Sequence, residues 1–156
     1  MNRNSQGQLK DVIKQEYVKC AADPIYFLKK YCLIQHPIKG KIPFQLYDFQ
    51  EKTVEDFVQH RFRQLGISTL TAGYSLWMMT FHLDKNILVI ATKQEVAKNL
   101  VTKVRVMHAN LPKWLKQPCV EDNKLSLRYK NGSQIKAVSA TEDAGRSEAL
   151  SLLILD

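Results

Sequence analysis

The chain has 156 residues, 45% of them hydrophobic and 24% charged. That is about one domain, with enough apolar side chain to bury a core without disulfides or metal. The three cysteines, Cys20, Cys32 and Cys119, are odd in number and lack CxxC spacing, which argues against a disulfide scaffold or a zinc ribbon and fits reduced thiols. No apolar run approaches the ~18–20 residues of a membrane span, and the opening MNRNSQGQLKDVIKQEY lacks a signal-peptide core. The net charge of +8 points to a polyanionic partner such as nucleic acid, nucleotide or acidic lipid, with a basic but inert surface as the alternative. Lys and Arg exceed Asp and Glu by nine to seven in residues 1–60 and by fourteen to eight after them, so the excess sits in the second part.

Residues 8–20 space Leu9, Val12, Ile13, Tyr17 and Cys20 at helical intervals and predict an amphipathic helix. Asp23-Pro24 is an N-cap with Pro at the first helical position, and a helix through IYFLKKYC follows. HPIKGKIP reads as a loop. Residues 48–60 predict a helix capped by Asp48, with Phe49, Val54, Phe57 and Val58 on its buried side. After the turn RFRQLGIST, residues 68–82 predict an apolar helix whose Trp77, Met78 and Met79 belong to the core. NILVIAT (86–92) is the pattern of a strand buried on both faces. Residues 93–111 predict an amphipathic helix with Val96, Leu100, Val104 and Met107 inward. LSLRYK and SQIKAVSA alternate around Asn131-Gly132, a type I′ hairpin signal. The final SLLILD reads as a second fully buried strand. Together these predict an α/β fold with a mainly parallel sheet and a β-hairpin behind a helical N-terminal segment. The run Leu-Ser-Leu-Leu-Ile-Leu-Asp156 stops without a cap or polar tail, which reads as the N-terminal part of something longer.

Four segments can carry chemistry. In Arg61-Phe-Arg-Gln-Leu-Gly66-Ile67-Ser68-Thr69, a glycine turn and a hydroxyl precede a helix, as in a phosphate-binding loop. Arg61 stands where the first glycine of GxxxxGK[ST] belongs, and Ile67 where its lysine belongs; an ordinary helix-entry turn is the alternative. The apolar strand ending in Asp156 matches the way such proteins present a carboxylate to Mg²⁺, or is a core strand with a capping Asp. Gln50 in LYDFQ can pair with an adenine edge, or lie exposed on a first helical turn. Arg146, on the Gly145 hinge, suits phosphate or DNA contact, or is a surface arginine. The four histidines lack metal-ligand spacing, and no nucleophile motif is present.

In this order the segments resemble the ATPase domain of the large terminase subunit of tailed bacteriophages, the DNA-packaging motor. The likeness runs from about Pro24 onward. It is carried by YFLKKYCLIQHPIKGKIPFQLYDFQ, RQLGISTLTAGYSLWMMTFH, NILVIATKQEVAKNLV, NGSQIKAVSATEDAGRSEALS and LLILD. It implies an additional-strand, RecA-like P-loop NTPase fold, incomplete here. Residues 1–45 would form a helical and loop segment and 46–156 a partial ATPase domain ending at the Walker B strand, with the family's nuclease domain absent. RQLGIST would be a variant Walker A loop. ATP and Mg²⁺ are the implied cofactors. Gln50 would lie near the adenine, and Arg61, Arg63, Gln64, Leu65, Gly66, Ile67, Ser68 and Thr69 would surround the phosphates. Ser68 and Asp156 would hold Mg²⁺, Arg63 and Asp156 would serve catalysis, and Arg146 would serve coupling or DNA contact. The implied partners are double-stranded DNA, portal protein, small terminase and other copies of the chain, in the host cytoplasm and not the virion. Without the Glu that follows the family's Asp, this stretch alone is expected not to hydrolyse ATP appreciably.

The strand that launches a P-loop needs about five residues, and only about two separate the helix near His60 from the turn. It is therefore expected to be missing, or supplied poorly by FVQHRF. A helicase-like ATPase of superfamily 2 and a decayed DNA-binding remnant are the alternative readings.

Overall fold

A computed structural model describes residues 3–58, 68–140 and 149–155. Five helices and seven strands are seen: α1 (Arg3–Ala22), α2 (Pro24–Tyr31), β1 (Leu33–His36), β2 (Gly40–Pro43), α3 (Asp48–Val58), α4 (Ser68–Phe81), β3 (Asn86–Ala91), α5 (Gln94–Ala109), β4 (Cys119–Asp122), β5 (Ser126–Tyr129), β6 (Gln134–Ser139) and β7 (Leu152–Leu155).

A five-stranded mixed sheet runs in the order β4-β5-β6-β3-β7. β3 is paired in parallel on both sides, with β6 and β7, while β4, β5 and β6 form an antiparallel meander. Half of the pairings are therefore antiparallel, and the expectation of a mainly parallel sheet is corrected. The meander keeps neighbours antiparallel through short turns; only the passage from β3 into it, through α5, and the passage from β6 to β7 are long. One face carries Ile87, Val89, Ile135, Ala137, Leu152 and Ile154, all buried. α5 lies against β3 and β6 on the helical side, and α4 packs on α5. α5 turns Ala97, Leu100, Val101, Val104 and Met107 inward, and Val96 stays at the surface, against expectation.

β7 departs from its reading as a fully buried strand. It is the last strand on its side of the sheet among the described residues. Leu152 and Ile154 are buried, but Leu153 is 46% and Leu155 60% exposed on the other face. A continuous apolar run does not reveal which of its faces is covered.

Asn131-Gly132 also behaves differently from its sequence signal. Type I′ requires positive φ at both residues, and Asn131 does not take it. The Gly132 N–H instead donates to the Tyr129 carbonyl (3.1 Å), Gly132 takes φ +87°, and the Tyr129 N–H meets the Ser133 carbonyl at 2.8 Å. This is the three-residue turn with a glycine bulge. The reason lies in α4, whose last carbonyls lack intrahelical partners. The Asn131 Nδ2 donates to the carbonyls of Met79 (2.8 Å) and His82 (3.3 Å), and the Ser133 hydroxyl to that of His82 (2.8 Å). The turn therefore doubles as the cap of α4.

HPIKGKIP is not a loop throughout, because its flanks pair as the β1–β2 hairpin in register Leu33↔Pro43 to His36↔Gly40. Asp48 is the first helical residue of α3, not its cap, and Phe49 and Val58 are exposed while Thr53 and Val54 are buried. On α1, Leu9 and Val12 are exposed, and only the C-terminal turns of the helix are held. The Trp77 indole N–H donates to the Cys20 carbonyl (2.9 Å), and Tyr17 meets Phe81 edge-on. Trp77 and Met79 are buried in the core, with Met78 packed against it.

Glu16 fastens α1 to α2. Its Oε1 accepts from the Lys30 ammonium (2.6 Å) and from the hydroxyls of Tyr26 and Tyr31 (2.7 Å each). These donors, Lys30 first, hold its carboxyl at about 2, below its ordinary 4.5. The lowered value makes the carboxylate's contribution complete above pH 4.5 and lost as pH falls toward about 2. Acid denaturation of Glu16→Gln should show less loss of stability across that window than the parent chain. A second expectation concerns the bulge. A Cβ at position 132 would lie 1.9 Å from the Asp84 Oδ1, at a positive φ. Gly132→Ala should lower stability by about 1–3 kcal/mol, read as a lower urea midpoint at unchanged slope.

Candidate functional site

A cavity of about 480 Å³ opens beside the start of α4. One wall is the β1–β2 hairpin, through Ile34, His36, Lys39 and Ile42. Gln45, Tyr47, Gln50 and Thr69 line it too, from the linker and from the first turns of α3 and α4. The size suits a small organic ligand.

The hairpin wall is shaped by a side chain. The His36 Nδ1 accepts from the backbone N–H groups of Ile38 and Lys39, at 3.1 Å each. Gly40 closes the turn at φ +70°. This sets Lys39 at the rim. The hairpin is tied down where the Phe44 N–H donates to the Cys32 carbonyl (3.0 Å) and the Lys41 ammonium to the Asn110 Oδ1 (3.1 Å).

Gln50 reaches back over the start of α3. Its Oε1 accepts from the Tyr47 N–H at 3.0 Å, the return half of a capping box. The amide oxygen thus has a structural partner, and among the described residues its NH₂ has no acceptor. Tyr47 is 70% exposed and lies parallel to Phe49, with ring centres 6.0 Å apart. A flat aromatic face therefore stands beside an amide, an arrangement suited to a planar heterocycle.

On the other side, Ser68 opens α4 and Thr69 follows it on the cavity wall. The Lys103 ammonium, from α5, donates to the Ser68 hydroxyl at 2.5 Å. α4 can lie close because Gly73 faces α2: a Cβ there would fall 2.6 Å from the Leu28 Cδ2.

Gln50 and Thr69, named from the sequence, are thus brought to one cavity, and Ser68 lies next to Thr69. Arg61, Arg63, Gln64, Leu65, Gly66, Ile67, Arg146 and Asp156 lie outside the described residues, as does the stretch in which a launching strand was expected to be missing. Sequence reasoning missed Lys103, Lys39 and His36. Lys103 is 35 positions from Ser68 and carries no local signal. The hairpin was hidden by its Pro and Gly content. Among the described residues no group of three or more His, Cys, Asp or Glu could hold a metal, and no helix is long and apolar enough to cross a membrane.

No family model matches the chain. Among solved structures, 87% of it superposes on the bacteriophage HK97 large terminase with a TM-score of 0.66 at 21% identity. The fold is terminase-like. The chain spans 30% of the length of that terminase, and its mixed α/β layers match a part of it.

The capping role of Gln50 is checked by stability. Gln50→Ala leaves the Tyr47 N–H unpaired and should cost about 1 kcal/mol in urea unfolding, while Gln50→Glu, which keeps an acceptor oxygen, should cost less.

Proposed function

We propose that the chain is the nucleotide-binding part of a viral DNA-packaging ATPase, built as a P-loop NTPase of the additional-strand, RecA-like kind. The observation that carries this reading is the meeting of Gln50 and Thr69 on one cavity, at the start of the helix that follows RQLGIST. The terminase-like fold supports it. In this reading the adenine lies against Tyr47 and the free amide of Gln50. The phosphates point toward Gly66, Ser68 and Thr69, with charge from Arg61 or Arg63. Gln64, Leu65 and Ile67 complete the loop.

A hydroxyl is a fitting oxygen ligand for a hard cation, and Ser68 with Asp156 would hold Mg²⁺. When bound, Mg²⁺ neutralises charge on the phosphates. The residues of the chain bind and orient. Gln50 would orient the base, the loop and the first turn of α4 would bind the phosphates, and Asp156 and Arg63 would meet the charge that develops. The whole motor's action, driving double-stranded DNA into a prohead, belongs to this proposal, with Arg146 as a coupling or DNA contact. So do portal protein, small terminase and further copies of the chain as partners in the host cytoplasm.

Thermal melting with and without Mg-ATP tests the reading. A ligand that binds only the folded chain raises the transition, by about 2.7 kcal/mol of stabilisation at a hundredfold excess over its Kd. The expected outcome is a cooperative melt that rises with ATP. Gln50→Glu, with a carboxylate in place of the amide donor, should lose about tenfold in ATP affinity. A melt unmoved by millimolar ATP would overturn the reading.

A further inference from the structure

Among the described residues that line the cavity, Lys39 is the only lysine or arginine, and none is Asp or Glu. Two other lysines of the N-terminal half have carboxylate partners: Lys29 meets Glu51 at 2.7 Å and Lys30 meets Glu16 at 2.6 Å. Among the described residues no carboxylate pairs Lys39. A concave wall that carries one sign of charge focuses its field and draws the opposite sign. The cavity is therefore set for an anionic ligand, and the charge comes from the β1–β2 hairpin.

The turn that presents Lys39 is braced at several points. Pro37 fixes its own φ. The His36 Nδ1 accepts from the N–H groups of Ile38 and of Lys39 itself, at 3.1 Å each. Gly40 pairs with His36 across the hairpin and takes φ +70°. Burial does not explain this bracing, since Ile38 at the tip is 90% exposed. What the bracing fixes is the backbone from which the Lys39 side chain starts. The same contacts settle the imidazole. A nitrogen that accepts from two N–H groups carries no proton, so the neutral ring holds its proton on Nε2. His36 also lines the cavity, and Nε2–H is its remaining polar group. The Gln50 NH₂ is a further donor without an acceptor among the described residues. An ammonium, an imidazole N–H and an amide NH₂ on one cavity all call for acceptor oxygens or nitrogens on the ligand.

We propose that the turn of the β1–β2 hairpin is a binding element of the cavity, in which Lys39 is the charged contact to the phosphates of a nucleotide and His36 is the positioning residue that holds Lys39 there. The ligand class rests on the nucleotide reading above. Lysine suits this task as a point charge on a flexible four-carbon stem, which follows phosphate oxygens without demanding one fixed geometry. Its freedom is a cost on binding, and a braced backbone lowers that cost in advance. His36 acts through Lys39: without the Nδ1 acceptor the turn loses two hydrogen bonds, and the start of the lysine side chain is no longer fixed.

Equilibrium binding of ATP and of adenosine to the 156-residue chain tests the proposal. Lys39→Met should weaken ATP by about fivefold and leave adenosine unchanged. Its ATP binding should also respond less to added salt than that of the parent chain. Lys39→Arg should recover most of the loss. Lys52→Met, which removes a cation two positions from Gln50 but off the cavity wall, should match the parent. His36→Ala should weaken ATP, and His36→Asn, whose side-chain oxygen can accept from N–H groups in a turn, should restore part of it. Because His36 acts through Lys39, the double variant Lys39→Met/His36→Ala should lose less than the sum of the two single losses. A thermal melt of each variant without ligand establishes that it folds. ATP binding that is unchanged in Lys39→Met, or equally weakened in Lys52→Met, would overturn the role of Lys39 and leave the nucleotide site standing. Additive losses in the double variant would overturn the positioning role of His36. A parent chain that binds neither ATP nor adenosine would overturn both readings.

Discussion

α4 is apolar around most of its circumference, and such a helix has to be covered on all sides. α2, α3 and α5 all pack against it. The polar side chains that burial would strand are turned back on the helix. Ser75 donates to the Thr71 carbonyl (2.8 Å) and Thr80 to the Leu76 carbonyl (2.7 Å). What burial cannot satisfy internally are the ends, because the last carbonyls of a helix lack partners. At the C-terminus Asn131 and Ser133 supply donors, with Gln117 donating to the Thr80 carbonyl at 2.9 Å. One buried helix thus couples the N-terminal helices, the hairpin turn and the sheet.

The same constraint places the site. Among the described residues no side chain of the meander caps the N-terminal end of α4, and Thr69 there faces the β1–β2 hairpin across the cavity. The polar groups on the cavity come from elements apart in sequence: Lys39 on the hairpin turn, Gln50 on α3 and Thr69 on α4. Each lies where the packing around α4 puts it. The cavity therefore lies between the β1–β2 hairpin with its following linker and the first turns of α3 and α4.

Much of the local architecture was legible from residue spacing. The Pro24 start of α2, the run Ser68–Phe81, the β3 strand and the inward face of α5 at Leu100, Val104 and Met107 all follow from periodicity and capping. The misread burials share a cause. Val96, Phe49, Leu153 and Leu155 are apolar residues on elements that were placed correctly, yet they stay exposed. Periodicity shows that an element has an apolar face, but not whether a neighbour covers all of it. The hairpin of β1 and β2 failed for a different reason. Its turn is held by the His36 imidazole acting on backbone N–H groups, an interaction that leaves no mark in a hydrophobic pattern.

By itself the sequence determined the types of the main elements and the candidacy of Gln50 and Thr69, which meet on the cavity. These are local properties, set by turn residues, caps and spacing within a few positions. Only the tertiary structure decided that half of the sheet's pairings are antiparallel, that the Asn131-Gly132 turn takes a bulge to cap α4, and that Lys103 meets Ser68. Each joins groups distant along the chain. Their meeting is selected by burial and by the need to pair stranded polar groups, and neither is encoded in any short stretch of residues.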